Sequence, residues 1–236
     1  MGMTALGRAV NQSKAVLFDL FHTLAAIESS WAGGLPGTSE ILGVDREAWD
    51  EQLHLHARRR LSGQDQGPFH LIGEMARAID PAIPDETLHR AVQNRIVRFE
   101  AALLDVPSET TAVLETLRAR GKKLGLISNA DAVEVAAWDR SPLAQRFDAA
   151  ILSCRVGVVK PEPEIYALCL ERLDVGPHEA IYVGDGSSFE LQGARAAGMT
   201  TVLMTGIIQD LWPERVEERK AHADFVIERL SQLVDA

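Results

Sequence analysis

The sequence predicts an α/β protein: a doubly wound parallel sheet carrying a smaller, all-helical cap domain. Three observations lead there. Short unbroken apolar runs recur along the chain, longer amphipathic stretches separate them, and one long segment after the first run shows helical patterning only. Strands covered on both faces read as continuous apolar runs, and their alternation with helices is the mark of a parallel sheet.

The runs are, in order, residues 15–18 (AVLF), 123–127 (KLGLI), 149–152 (AAIL), 180–183 (AIYV), 201–204 (TVLM) and 225–227 (FVI). Between them, Ser108 is placed to cap a helix over 109–120, with Gly121 just past its end. Pro161 and Pro163 open a second helix through Ile165, Leu168 and Leu173, since proline suits a first turn. A third spans 190–197 and stops at Gly198. The helical patterns of the long segment cover 46–61, 71–79 and 85–104, punctuated by Gly33, Gly34, Gly63, Pro81 and Pro84. The expected division is therefore a core of residues 13–26 and 106–236 and a cap of 27–105, placed like a lid over the carboxyl edge of the sheet. Open α/β sheets bind ligands at that edge. Residues 1–12 read as a disordered lead or an expression remnant.

Composition narrows the function classes. The net charge of −10 argues against a nucleic-acid or anionic-membrane surface, each of which demands a basic footprint. The two cysteines, Cys154 and Cys169, lie in apolar stretches and form no CxxC pair, so they read as core fillers in a reducing, cytoplasmic protein. No apolar run approaches the ~20 residues needed to span a bilayer. Trp31, Trp49 and Trp138 read as packing anchors. In the cap, His54, His56, Arg58, Arg59 and Arg60 read first as a solvated helix face, with anion recognition as the alternative.

Polar residues cluster where the runs end. Asp19 follows the first run in Asp19-Leu20-Phe21-His22-Thr23, Ser128-Asn129 follows the second, Lys160-Pro161 lies beyond the third, and Gly184-Asp185 with Glu190 follows the fourth. Taken singly these are turn formers and caps. In this order, with a helical insert after the first loop, they resemble the haloacid dehalogenase superfamily of hydrolases, over essentially the whole Rossmann-like core.

The resemblance implies a nucleophile at Asp19, forming an aspartyl-phosphate. It implies Mg²⁺ held by Asp19, Asp185 and the backbone carbonyl of Phe21, with Glu190 orienting a metal-bound water or Lys160 from behind. Lys160 and Ser128, with Asn129, Thr23 and nearby amides, would hold the transferring phosphoryl group, and Thr23 would also brace the first loop through a hydrogen bond. The expected substrate is a small phosphorylated metabolite.

One departure matters. Phosphatases of this superfamily carry a second Asp two residues after the nucleophile, to protonate the leaving group; here that residue is Phe21. General acid–base help contributes ~10²–10⁴-fold. The 2-haloacid dehalogenases also place an aromatic residue there, and displace halide from carbon without a metal; Asp185 and Glu190 together favour a cation instead. Phosphonoacetaldehyde hydrolases need a cap lysine, and residues 25–105 contain none. A weakly active phosphate-binding or regulatory protein is a further reading. His22 is the nearest substitute proton donor, although side-chain alternation in an extended loop turns it away from Asp19.

Overall fold

The computed structural model describes residues 4–65 and 67–235. Six strands form one all-parallel sheet in the order β3-β2-β1-β4-β5-β6: β1 Ala15–Phe18, β2 Lys123–Ser128, β3 Ala149–Leu152, β4 Ala180–Gly184, β5 Thr200–Met204 and β6 Phe225–Ile227. Each apolar run of the sequence is thus a strand. β1 lies between β2 and β4, with Phe18 registered on both Leu126 and Val183. The chain leaves β1 towards one side of the sheet and later returns on the other, which opens a crevice at the carboxyl end of β1.

Successive side chains of a strand point to opposite faces, so β1 feeds two cores. Val16 and Phe18 pack with Leu114, Leu117, Leu126 and Val183 on one face. Ala15 and Leu17 pack with Ile165, Tyr166, Cys169, Tyr182 and Leu203 on the other. The first face is covered by α1 Ala5–Gln12 and, between β1 and β2, by the last helix before β2, Ser108–Ala119. The described part of the expected disordered lead is therefore corrected. Ala5–Gln12 is a helix capped by the Thr4 hydroxyl, and its Leu6 and Val10 belong to the core. Its mixed composition hid a two-residue apolar contact that only the core completes. Residues 1–3 lie outside the described residues.

The insert holds α2 Thr38–Leu42, α3 Arg46–Leu55, α4 Ala57–Leu61, α5 Pro68–Ile79 and α6 Asp85–Leu104, followed by α7 Ser108–Ala119. Leu42, Trp49, Leu71, Ile72, Met75, Leu88 and Val92 form an apolar cluster of their own within it. The single helix expected over 46–61 is broken at His56, whose backbone (φ −94°, ψ 1°) ends α3 and starts α4. Pro107, rather than Ser108, occupies the cap of α7, and no side chain caps that helix. Trp49 and Trp138 are buried as expected, whereas Trp31 is 68% exposed and anchors no packing.

After β3, α8 Ser153–Val156 leads to α9 Pro163–Leu173; α10 Glu190–Ala196 joins β4 to β5; α11 Ile208–Leu211 and α12 Pro213–Lys220 join β5 to β6. Among the described residues no helix is long and apolar enough to cross a membrane.

Because Val10 is fully buried against the sheet, Val10→Ala is expected to lower unfolding stability by about 2 kcal/mol in urea titrations. An unchanged midpoint would mean that α1 is dispensable.

Candidate active site

The carboxyl ends of β1, β2 and β4 bring the predicted polar residues together. Asp19 leaves β1 with its amide still donating to the Val183 carbonyl at 2.9 Å, so it stands at the sheet edge beside the end of β4. Lys160 is the centre of the cluster. Its ammonium donates to Asp19 Oδ1 at 2.5 Å, to Glu190 Oε2 at 2.5 Å and to the Tyr182 hydroxyl at 3.1 Å. All four side chains are buried. A buried ammonium is tolerated only with such partners. Burial works against the Lys160 charge, but Asp19 and Glu190 outweigh it and hold its pKa above the ordinary lysine range.

Glu190 reaches this point because the chain turns tightly after β4. Its Oε1 accepts the Gly186 N–H at 2.8 Å and its Oε2 accepts the Tyr182 hydroxyl at 2.8 Å. Gly184 is required for the approach: a Cβ there would stand 2.2 Å from Glu190 Oε1. Asp185 binds the Ser187 N–H through Oδ1 at 2.9 Å and Arg219 through Oδ2 at 2.8 Å.

Asp19, Asp185 and Glu190 offer oxygens that all lie within 4.8 Å of one another. Burial pushes the Glu190 carboxyl up to about 8, with Lys160 opposing and Asp19 and Asp185 adding to the rise. Burial likewise raises Asp19, against the pull of Lys160 and with the push of Asp185. Burial would raise Asp185 too, but Arg219 and the Ser187 amide outweigh it and hold it below the usual carboxylate value. Burial is thus the main cause of the rise at Asp19 and Glu190, and Lys160 works against it at both. A hard, oxygen-seeking cation fits that donor set. Asp19, Asp185 and the Phe21 carbonyl, which the backbone bonds of its own loop leave aside, are the ligands available to it. Glu190 is already committed to Lys160, Tyr182 and Gly186.

Thr23 donates to Asp19 Oδ2 at 3.3 Å, is buried and is not among the residues that line the cavity, so in place of the expected phosphate contact it braces Asp19. Asn129 exchanges two bonds with the Lys160 backbone, at 2.8 and 3.0 Å, which joins the loops after β2 and β3. Asp19, Ser128, Asn129, Lys160 and Asp185 line a cavity of about 300 Å³.

His22 also lines this cavity, contrary to the alternation expected of an extended loop. Its φ of +63° breaks the extended conformation and redirects the side chain. The ring lies edge-on to Trp212, 4.9 Å between centroids, and Nε2 is 3.4 Å from Glu28 Oε2. Burial would lower its pKa, but Glu28, then Asp185 and Asp19, raise it above the ordinary histidine value. Phe21 packs edge-on against Phe99 of α6, at 5.2 Å between centroids.

Sequence reading missed the link from the cap. Arg60 of α4 donates to Asp131 Oδ2 at 2.9 Å and Glu134 Oε1 at 3.0 Å, and Arg95 of α6 binds the same two carboxylates. The solvated-face reading holds for Arg59, which pairs with exposed Glu74; Arg58, itself exposed, pairs with half-buried Glu162, and Arg60 is buried. Asp131 and Glu134 follow Ser128-Asn129 closely, so two cap helices grip the loop that carries Ser128. Tyr182, hidden inside an apolar run, had one available signal: a buried tyrosine hydroxyl needs a partner.

The haloacid dehalogenase-like hydrolase model matches residues 13–198. The chain belongs to that family. This hydrolase is 29% identical over 230 residues to the glyceraldehyde 3-phosphate phosphatase of Methanopyrus kandleri, covering 94% of this chain and 96% of the relative. Among solved structures it is similar to a haloacid dehalogenase-like phosphatase from Thermococcus onnurineus, with 27% identity, a TM-score of 0.60 and coverage of 93% and 95%. It is also similar to the L-2-haloacid dehalogenase from Xanthobacter autotrophicus with chloropropionic acid covalently bound, with 26% identity, a TM-score of 0.61 and coverage of 94% and 96%.

The cap–core ion cluster has a pH signature. Burial would raise Asp131, but Arg95 and Arg60 outweigh it and hold its folded pKa below the ordinary 3.8. A depressed folded pKa means that its stabilisation is full above the unfolded value and is lost as pH falls through the folded one. The stability gap between wild type and Asp131→Asn should therefore shrink on acidification from about pH 6 to about pH 3. A constant gap in urea titrations across that range would refute the assignment.

Proposed function

We propose that this hydrolase is a Mg²⁺-dependent phosphatase of a small phosphorylated metabolite, working through an aspartyl-phosphate on Asp19. The observation that carries the reading is the buried acidic trio around Lys160, opening into a cavity whose volume, about 300 Å³, suits a small molecule. The phosphatase relatives support the same substrate class.

Lys160 keeps Asp19 oriented and offsets the repulsion between carboxylate and phosphoryl oxygens. Ser128 and the amides of its loop receive the transferring group. An Asp19 oxygen attacks phosphorus, the bond to the leaving oxygen breaks, and His22 gives that oxygen its proton. Neutral His22 then takes a proton from water as the water oxygen attacks phosphorus and the Asp19–phosphorus bond breaks. Mg²⁺ held by Asp19, Asp185 and the Phe21 carbonyl supplies the positive charge that the phosphoryl oxygens demand. Glu190 holds Lys160 in place. His22 takes the acid role vacated at Phe21 because its side chain enters the cavity, fixed by Trp212 and Glu28.

One observation favours dehalogenation as a second reading. Phe21 is packed on Phe99 in a site whose fold resembles a haloacid dehalogenase, and halide needs no proton. Asp185 and Glu190 favour the phosphatase.

Phosphate release from a panel of esters, with and without Mg²⁺, tests the reading. Mg²⁺-dependent release is expected, falling to background in Asp19→Asn. No release even from aryl phosphates, with halide released from 2-haloacids, would transfer the assignment to the dehalogenase. Loss of both would leave a phosphate-binding protein.

His22→Asn should cost about 10²-fold in kcat/KM on alkyl phosphates and far less in kcat/KM on p-nitrophenyl phosphate, because that ratio reads the step that expels the leaving group and nitrophenolate needs no proton. An equal loss on both would remove His22 from the proton path.

A further inference from the structure

Arg219 lies far from every sequence motif, yet it holds the carboxylate on which the metal reading depends. One of its terminal nitrogens, Nη1, donates to both Asp185 Oδ2 and the Asp185 carbonyl oxygen, each at 2.8 Å. The contact is buried, with the Arg219 side chain 11% exposed and Asp185 1%. The other Asp185 oxygen is taken by the Ser187 N–H.

The arginine is seated, not loosely laid on the surface. Its aliphatic stem runs over Gly186, where a Cβ would lie 3.1 Å from its Cβ, Cγ and Cδ, and the φ of +84° at that glycine also disfavours a side chain. Its guanidinium carbon is 6.0 Å from the centroid of the Trp212 ring, the same ring that holds His22. Arg219 lines the cavity together with Asp19, Ser128 and Lys160.

A cation bound between Asp19 and Asp185 would draw on the Asp185 carboxylate, whose Oδ2 is already paired with Arg219. The only oxygen of that carboxylate not held by the backbone is the one Arg219 occupies. Two positive groups would therefore address one carboxylate, in a buried setting where their mutual repulsion is weakly screened. We propose that Arg219 is a tethered cation that competes with the divalent ion for Asp185 and so sets the ion's affinity. It keeps Asp185 paired when no ion is bound, and it must swing off Oδ2 for the ion to enter. The inference rests on the metal reading above.

The test is direct binding of Mn²⁺, followed by its electron paramagnetic resonance signal and by calorimetry, on wild type, Arg219→Gln, Arg219→Lys and Asp185→Asn. Wild type should bind one Mn²⁺ that Asp185→Asn loses. Arg219→Gln should bind it about tenfold more tightly, because the competing charge is gone. Arg219→Lys should change affinity less, since it keeps the charge but loses the planar fork.

Wild-type binding with unchanged or weaker binding in Arg219→Gln would overturn the competition and leave the metal reading standing. Absence of Mn²⁺ binding in both would overturn the two together, while phosphate release with its Asp19→Asn blank still reads the phosphatase independently. A second measurement needs no folded Gln variant. In wild type, the Arg219 Nε–H resonance, assigned by its loss in Arg219→Lys, should move as Mg²⁺ is added. A resonance unmoved at saturation would overturn the proposal.

Discussion

The Lys160 ammonium, buried between Asp19 and Glu190 with the Tyr182 hydroxyl beside it, is the contact on which the rest of the site is built. An ammonium removed from water is costly unless several acceptors converge on it. Three separate segments must therefore meet at one point: the end of β1, the loop after β3 and the turn after β4. A parallel sheet supplies that meeting because the carboxyl ends of neighbouring strands open on the same edge. Asn129 ties the Lys160 backbone to the end of β2, so a fourth segment, the one carrying Ser128, is set by the same residue. Gly184 and Gly186 leave room for the carboxylate and the arginine that close the cluster.

Charge balance then divides the acidic trio into two halves. Lys160 serves Asp19 and Glu190, and Arg219 serves Asp185. In the first half burial, opposed by Lys160, pushes Glu190 up to about 8. In the second half Arg219, which lines the cavity with Asp19, Ser128 and Lys160, holds Asp185 below its usual value.

The cap contributes through packing as well as charge. Phe21 contacts Phe99 of α6, and the Arg95 guanidinium stacks 4.6 Å from the centroid of the Phe99 ring. Arg95 and Arg60 in turn hold Asp131 and Glu134, just beyond Ser128. The aromatic side chain of Phe21 thus belongs to a chain of contacts joining the first loop, the cap and the loop that carries Ser128. His22, the neighbour of Phe21, enters the cavity because its positive φ turns the backbone at that point.

Periodicity and apolar runs by themselves determined the strands, most helices and the place of the insert, because burial on both faces of a sheet leaves an unbroken apolar record in the chain. Motif order likewise determined Asp19, Ser128, Lys160, Asp185 and Glu190 as candidate site residues, since the ends of adjacent parallel strands are brought together by topology alone. Only the tertiary structure decided the direction of His22, which hangs on one backbone dihedral, and the packing of α1, whose two apolar side chains form too small a pattern to read. It also decided the partners of Arg60, Arg95 and Arg219. A charged side chain carries no sequence mark of whether it meets water or a buried carboxylate; that is settled by which distant segments the fold lays against it.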